Sequence, residues 1–560
     1  MNELEQLAER LFPAAEKTPE EIEQEYPERN LPEGAVVTRF APSPTGFLHI
    51  GGLFAAMIAK TTARQSGGVF FLRIEDTDKK REIENGVGAV IEGLKAFGVA
   101  FDEGVTGEGE EKGAYGPYFQ SRRKGIYQSF AKKLFLEGLA YPCFCSPEQL
   151  DEIRTGQERD KLRTGYYGPY ARCRALSFEE IERRLEEGRP FVIRLKSPGS
   201  EENRFSFRDL VKGKIEMPEN DQDIVLLKAD GIPTYHFAHA VDDHLMRTTL
   251  VVRGDEWISS VPIHLQLFRL LQFRAPKYAH ISPIMKEENG GKRKLSKRKD
   301  PEAAVTFYHE EGYPRQSVME YLMTLANSVF EDWRRANPKA PVSEYPFKIS
   351  KMSLSGALFD LVKLNDVSKN TICFFPAEQV RDEVTAWAKQ YRPRLAALLE
   401  RDPDYAAAIF SIDREGKKPR KDIARWSEVE DYVSYFYDEL WDGRQEKPEN
   451  IAPEDAAAVL KRYLEVYDPA DDKDEWFRKI KELCGNLGFA GEVKAYKQSP
   501  ESYKGHVGDV SGIIRIAATG RKNTPDLYEI LRLLGAERFQ MRAEKFIKQL
   551  EEEVSVGRND

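Results

Sequence analysis

Residues 42–52 of the chain read PSPTGFLHIGG, a turn rich in glycine and proline that carries one histidine, His49. The preceding residues 35–40, AVVTRF, favour a short buried strand, and residues 53–60, LFAAMIAK, have helical composition. After a Gly-Gly break, residues 69–74, VFFLRI, favour a second buried strand. Strand, turn, helix and strand in this order form a βαβ unit, which predicts an α/β fold with a parallel sheet and a ligand site at the carboxyl ends of its strands.

A second informative segment lies far along the chain at residues 292–299, KRKLSKRK, where six of eight residues are basic. An isolated run of charge usually covers a solvated face. Here a leucine and a serine interrupt basic residues that follow a Gly-Gly turn at 290–291. Because lysine ammonium groups on flexible stems suit phosphate oxygens, this pattern favours a phosphate-binding loop.

The two segments together resemble the two ATP-binding signatures of the class I aminoacyl-tRNA synthetases. The resemblance implies a Rossmann-type catalytic domain, ATP with Mg²⁺, and His49 and Lys297 as catalytic residues. It also implies ATP contacts from His49, Gly51, Gly52, Lys294, Ser296 and Lys297. Gly52 occupies a position that is histidine in most of the class, and the glutamyl- and glutaminyl-specific branch commonly has glycine there.

The chemistry that the resemblance implies explains these residue types. A helix N-terminus offers unpaired N–H groups and partial positive charge to phosphate oxygens, and glycines let the backbone approach the adenosine. His49 would donate a hydrogen bond as charge develops on phosphate, and Lys297 would hold the α-phosphate. The attacking amino-acid carboxylate is already ionised at neutral pH, so no protein base is required.

Further stretches resemble the glutamyl-tRNA synthetases in particular: Arg39, Ser43, residues 73–78 (RIEDTD), residues 235–244 (YHFAHAVDDH) and residues 253–257 (RGDEW). The resemblance implies amino-acid contacts from Arg39, Ser43, Glu75, Tyr235, His239 and Arg253. Guanidinium groups bind carboxylates through parallel hydrogen bonds, so Arg39 and Arg253 are the candidates for the carboxylates of glutamate and Glu75 for its ammonium group. His239 departs from the asparagine that bacterial members often carry.

The resemblance also divides the chain into segments. The expected order is an acidic N-terminal extension (1–34), the first half of the catalytic domain (35–140), an inserted domain for the tRNA acceptor end (141–220), the second half of the catalytic domain (221–285), a lysine-loop and helical stem-contact domain (286–375) and an all-helical anticodon-binding region (376–560). Within this scheme the catalytic sheet is expected to resume near residues 223–227.

The region after the lysine loop is predicted to be helical. Glutaminyl enzymes of the usual type carry β-barrels there, and this chain lacks the short alternating strands that a barrel requires. Residues 359–364 (FDLVKL) and 515–521 (RIAATGR) resemble signatures of the bacterial glutamyl enzymes. An amphipathic helical stripe is formed by Val318, Tyr321, Leu322, Leu325 and Ala326.

Composition indicates a charge-rich globular protein of 560 residues, with 41% hydrophobic and 32% charged residues. The net charge is 84 − 93 = −9, but binding of nucleic acid depends on where charge is placed rather than on its sum. No apolar run reaches the roughly 18–20 residues of a membrane span, and the acidic start lacks the features of a secretory signal. We therefore expect a cytoplasmic protein without a membrane partner, and a monomer.

The five cysteines are too few and too scattered for a disulfide framework. Cys143, Cys145 and Cys173 fall in the predicted insertion, where some relatives bind zinc. A tetrahedral site needs four ligands, and the position two beyond Cys173 is alanine, so we expect a metal-free cluster. The alternative is a zinc site whose fourth ligand is a tyrosine: Tyr166, Tyr167 or Tyr170.

The function implied by the resemblance is ATP-dependent attachment of glutamate to tRNA(Glu) through a glutamyl-adenylate, with release of AMP and pyrophosphate. Three alternatives stay open at this point. They are a glutaminyl-tRNA synthetase, a glutamyl transferase that acts on a modified tRNA base, and a non-catalytic tRNA-binding paralogue.

Overall fold

The structure is a computed structural model that describes residues 2–44, 46–78, 83–296 and 298–556. The chain divides into two compact units, Met1–Phe307 with Met319–Asp360 and Tyr308–Val318 with Leu361–Asp560.

The strands are β1 Val37–Phe40, β2 Val69–Leu72, β3 Glu103–Gly107, β4 Glu110–Lys112, β5 Ala140–Cys143, β6 Val192–Leu195, β7 Arg204–Asp209, β8 Gly213–Pro218, β9 Val225–Leu227, β10 Leu250–Gly254, β11 Lys277–Ile281, β12 Met285–Glu288 and β13 Gly291–Lys294. The helices are α1 Glu3–Leu11, α2 Pro19–Glu25, α3 Ile50–Gln65, α4 Gly86–Ala96, α5 Lys124–Leu136, α6 Pro147–Arg159, α7 Phe178–Glu186, α8 Tyr235–Leu245, α9 Val261–Leu270, α10 Val305–Glu310, α11 Arg315–Ala326, α12 Phe330–Ala336, α13 Leu361–Ile372, α14 Ala377–Tyr391, α15 Pro393–Arg401, α16 Pro403–Ser411, α17 Val429–Val433, α18 Pro453–Val466, α19 Lys473–Leu487, α20 Val493–Gln498, α21 Val507–Thr519, α22 Leu527–Leu534 and α23 Ala536–Val556.

The predicted βαβ unit is confirmed. Strands β1 and β2 pair in parallel, with Val37 opposite Val69 and Phe40 opposite Leu72, and their β-branched and aromatic side chains are largely buried. Helix α3 connects them and begins directly after the Gly/Pro turn. Strand β3 extends the sheet in parallel on the far side of β2.

Strand β10 adds the second half of the catalytic fold and pairs in parallel with β11. Thr249, just before β10, accepts from Val37 N through Oγ1 at 2.9 Å and donates its own N–H to Val37 O at 3.0 Å. The residues at the carboxyl ends of β1, β2 and β10 therefore meet in one cleft. This is where ligands bind in sheets of this kind.

The sequence expectation for residues 223–227 was wrong in one respect. Strand β9 does not rejoin the parallel sheet but pairs antiparallel with β6, and β5, β6 and β9 form a separate three-stranded sheet. Periodicity identified β9 as a buried apolar strand, but it cannot distinguish one buried partner strand from another.

Residues 2–34, the described part of the predicted N-terminal extension, contain helices α1 and α2, which pack into the core of the first unit. Helices α1 and α2 each begin with a capping box, from Asn2 and Thr18. After α2, Tyr26 accepts a hydrogen bond from Arg123 Nη1 at 3.1 Å. The apolar faces of the two helices add Leu7, Leu11, Phe12 and Ile22 to the core that also contains β2 and α8.

The second unit confirms the predicted all-helical C-terminal region. Beyond Lys294 the described residues contain no strand, which excludes a β-barrel in that part of the chain. The predicted amphipathic helix at 318–326 lies within α11. The helical core of this unit includes Leu395, Leu460, Ile513, Phe539 and Ala543.

Candidate active site

A cleft of about 470 Å³ lies at the carboxyl ends of β1, β2 and β10. Its wall consists of Arg39, Phe40, Ala41, Ser43, His49, Gly51, Gly52, Phe54, Ala55, Glu75, Tyr235, Val252, Arg253, Gly254, Glu256, Trp257, Ile281, Ser282, Pro283, Ile284 and Lys294. Most of the predicted site residues are in this wall. Ser296 and His239 are not, and Lys297 lies outside the described residues.

His49 is the N-cap residue of α3. Its Nδ1 accepts a hydrogen bond from the backbone N–H of Gly51 at 2.9 Å, so the neutral ring carries its proton on Nε2. Capping the helix therefore fixes the tautomer that can donate to a phosphate oxygen.

The two glycines of the motif are explained by packing as well as by ligand access. A Cβ on Gly51 would lie 3.1 Å from Nδ1 of His49, and a Cβ on Gly52 would lie 3.1 Å from Cδ1 of Leu48. A side chain at position 51 would therefore displace the ring that caps α3.

Lys294 brings the predicted lysine loop to this cleft. It ends the hairpin β12–β13, and its Nζ lies 3.4 Å from Oε1 of Glu256, another wall residue. The two sequence motifs are therefore brought together at one site, which was the main spatial expectation. The role of Lys297 stays a prediction.

Asp300 holds the backbone of this loop. It accepts from the N–H of Ser296 at 2.9 Å and from Nη1 and Nη2 of Arg293 at 2.6 and 2.8 Å. The hydrogen bonds from Arg293 lower the pKa of Asp300 well below its ordinary value. Ser296 thus contributes its backbone N–H to loop structure.

Arg39 is neutralised by a carboxylate of the protein. Its Nε lies 3.3 Å from both carboxylate oxygens of Asp243, and Asp243 also accepts from Arg73 Nη1 at 2.7 Å. Arg73 reaches Glu75 Oε1 through Nη2 at 3.2 Å. Burial raises the pKa of Glu75, and the charge of Arg73 opposes this effect. Glu75 is thus a wall carboxylate placed to attract an ammonium group.

Arg253 differs from Arg39 in its partners. It is 6% exposed. It donates to His280 Nε2 at 3.0 Å, Tyr235 Oη at 3.3 Å and Trp257 O at 3.4 Å. Among the described residues it forms no ion pair with a carboxylate. A buried guanidinium whose protein partners are all neutral is suited to an anionic ligand.

His239 lies beneath Tyr235 rather than in the cleft wall, with ring centroids 6.0 Å apart. It is fully buried, with Nδ1 2.9 Å from Asp243 Oδ2 and Nε2 3.0 Å from the hydroxyl of Tyr278. Burial lowers its pKa to about 3. The structure gives it a supporting position, so its predicted contact with the amino acid stays a prediction.

Two further histidines continue from Arg253 in a hydrogen-bonded row. Arg253 Nη1 lies 3.2 Å from His264 Nδ1, and His264 Nε2 lies 3.0 Å from His236 Nδ1. Because a guanidinium only donates, His264 Nδ1 must accept and its proton is on Nε2. Burial lowers the pKa of His236 to about 4 and that of His264 well below its ordinary value.

We expect the free energy of unfolding to fall as the pH is lowered from about 6.5 to about 4. In the folded protein, burial gives His236 and His239 pKa values of about 4 and about 3, whereas an unfolded histidine titrates near pH 6.5. In that window the unfolded chain binds more protons, so stability increases with pH. Urea unfolding across the window measures this slope.

Comparison of the wild-type chain with His236→Gln isolates the contribution of one histidine to this slope. The comparison is needed because the raised pKa of Glu75 makes stability fall as the pH rises, which opposes the effect of the histidines. Removing one titrating histidine should lower the slope by up to about 1.4 kcal/mol per pH unit. A variant with the slope of the wild-type chain would contradict the prediction.

Sequence reasoning missed the residues that support the wall. Asp243 and Arg73 lie within stretches that resemble the family without indicating a role for these two residues, and His264 and His280 lie outside the motifs. One signal was available. Adjacent acidic residues stand in α8 among apolar ones (YHFAHAVDDHL), and acidic groups at buried positions require charged or hydrogen-bonding partners.

Cys143, Cys145 and Cys173 form a cluster outside the cleft, with their Sγ atoms within 4.8 Å of one another. The hydroxyl of Tyr166 lies 3.4 Å from Cys143 Sγ and 3.3 Å from Cys145 Sγ. Cys145 Sγ and Cys173 Sγ are 3.6 Å apart, close to the spacing of about 3.8 Å between thiolates on a tetrahedral zinc ion. Of the three tyrosines weighed as a fourth donor, Tyr166 thus has its hydroxyl in contact with the cluster.

Two family models match the chain. The one described as "tRNA synthetases class I (E and Q), catalytic domain" matches residues 35–365, and the one described as "Anticodon binding domain" matches residues 388–547. No helix among the described residues is long and apolar enough to span a membrane.

Relatives match over nearly the whole chain. A glutamate–tRNA ligase of Clostridium perfringens (strain SM101 / Type A) is 52% identical over 97% of this chain and 99% of its own length. One of Sorangium cellulosum (strain So ce56) is 47% identical over 95% and 98%. A crystal structure of a glutamate tRNA ligase from Elizabethkingia meningosepticum CCUG26117, in complex with its amino acid, has a TM-score of 0.71 at 27% identity and covers 92% of this chain and 99% of that chain.

Proposed function

The chain belongs to the glutamate–tRNA ligase family of class I synthetases, and from this membership and the cleft we propose that it attaches glutamate to tRNA(Glu). The α-carboxylate of glutamate attacks the α-phosphorus of ATP, which forms glutamyl-adenylate and releases pyrophosphate. A terminal ribose hydroxyl of the tRNA then takes the glutamyl group, and AMP leaves.

The neutral protein partners of Arg253 are the observation that favours an acidic amino acid as the substrate. Its buried guanidinium has neutral protein partners, whereas Arg39 is already paired with Asp243. A glutamate carboxylate at Arg253 would complete a charge pair, while the neutral amide of glutamine would leave the guanidinium uncompensated. Glu75 would bind the α-ammonium, and Arg39, Ser43, Tyr235 and His239 complete the proposed amino-acid site.

The same wall supports the proposed ATP site. His49 presents an Nε2 proton, Gly51 lies in the first turn of α3, and Lys294 lines the same cleft. Mg²⁺ would accompany ATP through its phosphate oxygens and neutralise charge there. The protein's contribution is positioning and charge stabilisation, because the attacking carboxylate is already ionised.

The roles of the segments follow the proposed function. The inserted segment 141–220 would receive the acceptor end of tRNA, 286–375 would contact its stem and 376–560 its anticodon. The enzyme would act as a cytoplasmic monomer.

The donor set of the cysteine cluster fits zinc. An ion held there by Cys143, Cys145, Cys173 and Tyr166 would stabilise the fold of the inserted segment and would take no part in the reaction.

Pyrophosphate exchange and tRNA charging test the proposal directly. Glutamate should support both reactions in the presence of tRNA(Glu), and glutamine should support neither. Charging of tRNA with glutamine would favour the glutaminyl-specific alternative. Binding of tRNA without adenylate formation would favour the non-catalytic one.

Lys297→Ala is expected to lower the rate of adenylate formation by at least about a hundredfold, the effect of losing one group that stabilises transition-state charge. Binding of tRNA, measured by filter retention, should be nearly unchanged. Lys299→Ala is the matched control in the same loop, because that side chain is 63% exposed and lies 3.8 Å from Glu288. Equal activity of Lys297→Ala and the wild-type enzyme would refute the role of Lys297.

A further inference from the structure

We propose that Asp209 positions Arg253 for glutamate binding by holding His280 in one tautomer, an inference that rests on the proposed function of the same cleft. Asp209 is not in the cleft wall. It ends β7, in the hairpin β7–β8 of the segment predicted as an insertion, whereas Arg253 belongs to β10 of the catalytic fold. His280 on β11 connects the two side chains.

The carboxylate of Asp209 is surrounded by donors. Its Oδ2 lies 2.7 Å from His280 Nδ1 and 3.1 Å from the backbone N of His280. Its Oδ1 accepts from the N–H groups of Val211 and Lys212 at 2.9 and 2.8 Å. Asp209 is 1% exposed. Only an ionised carboxylate, which accepts and does not donate, satisfies all of these groups.

His280 transmits this arrangement to the cleft. Because Nδ1 donates to Asp209, its Nε2 keeps a lone pair, and that lone pair accepts from Arg253 Nε at 3.0 Å. The ring is fully buried and stacked on Tyr278 at an interplanar angle of 11°, which restricts its rotation. Arg253 is then held through Nε by His280, while its Nη1 contacts His264 and Tyr235 and its Nη2 contacts the carbonyl of Trp257 at the cleft wall.

The opposite tautomer would break this arrangement. It would direct an N–H of His280 at the N–H of Arg253 over the same 3.0 Å, and two facing donors repel each other. The guanidinium would turn away from His280, and a guanidinium in the wrong plane cannot align its N–H groups with a carboxylate. Asp209 is therefore a positioning residue that acts at a distance from the substrate.

Asp209→Asn is the sharpest test because it preserves shape and changes only hydrogen bonding. The amide NH₂ now faces donors, so His280 must accept at Nδ1 and carry its proton on Nε2. In pyrophosphate exchange with the full-length enzyme and tRNA, we expect the KM for glutamate to rise about tenfold to a hundredfold. The KM for ATP should stay unchanged, because His49 and Lys294 are not part of the relay.

Lys212→Ala is the matched control. Its Nζ anchors the same hairpin to Asp255 at 2.9 Å and to the carbonyl of Leu354 at 2.8 Å, and it makes no hydrogen bond to His280. A purely structural role of the hairpin predicts equal effects of the two variants. The proposed relay predicts a rise in the glutamate KM for Asp209→Asn alone, and equal effects would overturn it.

Nitrogen-15 NMR of histidine-labelled protein tests the relay without catalysis, with His280→Gln identifying the signal. The wild-type ring should carry its proton on Nδ1, and Asp209→Asn should move it to Nε2. A wild-type ring protonated on Nε2 would overturn the proposal. If the wild-type enzyme fails to activate glutamate, the proposed function is refuted, and the NMR result still decides whether the relay exists.

Discussion

Arg253→Ala is expected to lower kcat/KM for glutamate between about 30-fold and about 5,000-fold, because removing one partner of a buried charge pair costs about 2–5 kcal/mol. The variant leaves no carboxylate unpaired among the described residues, but it removes the donor to the buried acceptors His280 Nε2 and His264 Nδ1, at a cost of about 1–3 kcal/mol for each acceptor left unsatisfied. Activity is therefore compared under conditions in which urea unfolding shows both the variant and the wild-type enzyme to be fully folded.

Two comparisons make this prediction specific. Arg253→Lys keeps the positive charge but not the planar fork, so its activity should lie between those of the wild-type enzyme and Arg253→Ala. Arg269→Ala removes an arginine that is 61% exposed and lies 3.8 Å from Glu219, and it should have no effect. If Arg253→Ala has the glutamate kinetics of the wild-type enzyme, Arg253 does not bind the substrate.

Asp242→Ala is expected to lower the free energy of unfolding of the first unit by about 3–5 kcal/mol, the cost of leaving buried charges without their partner. Asp242 is fully buried. It accepts from Arg123 Nε at 2.7 Å, Tyr127 Oη at 2.9 Å and Gln120 Nε2 at 2.8 Å, and Arg73 Nε lies 3.7 Å away. Removing it leaves two buried guanidinium groups with less compensation.

Urea unfolding of the full chain measures this loss in the transition of the first unit. Asp151→Ala is the control, because Asp151 pairs with Arg154 at 2.6 Å but is 63% exposed. An exposed pair of this kind is worth about 0–1 kcal/mol. A loss for Asp242→Ala as small as for the control would show that the buried network contributes little to stability.

Local patterns predicted much of the catalytic fold. The turn at 42–52 determines where β1 ends and α3 begins, and both are set by residues close in sequence. The stripe at 318–326 predicted α11 for the same reason. Strand β9 was also recognisable as a strand, but its pairing with β6 depends on residues more than 30 positions away.

Most of the residues predicted for the site line the candidate cleft, but the sequence could not show which of their charges are paired. Arg39 and Arg253 looked equivalent in sequence, and only the structure shows that Asp243, 204 positions from Arg39, neutralises one of them. The position of His239 beneath the wall likewise depends on a distant residue, because its ring is hydrogen-bonded to the hydroxyl of Tyr278, 39 positions away in sequence. The hydroxyl of Tyr166 lies at the cysteine cluster because the chain returns there, which no spacing rule expresses.

The docking of the N-terminal helices has a consequence for synthesis on the ribosome. Glu23 is paired with Arg247 at 2.9 Å, 224 positions later, and Tyr26 is held by Arg123. At about 5–20 residues per second, Glu23 must wait roughly 11–45 s after its own synthesis for Arg247 to be translated. The buried face that includes Leu7, Leu11 and Phe12 lacks its partner until α5 is translated, because Phe12 packs against Phe135 with ring centroids 5.8 Å apart. During that interval the nascent chain exposes an apolar surface of the kind that chaperones bind.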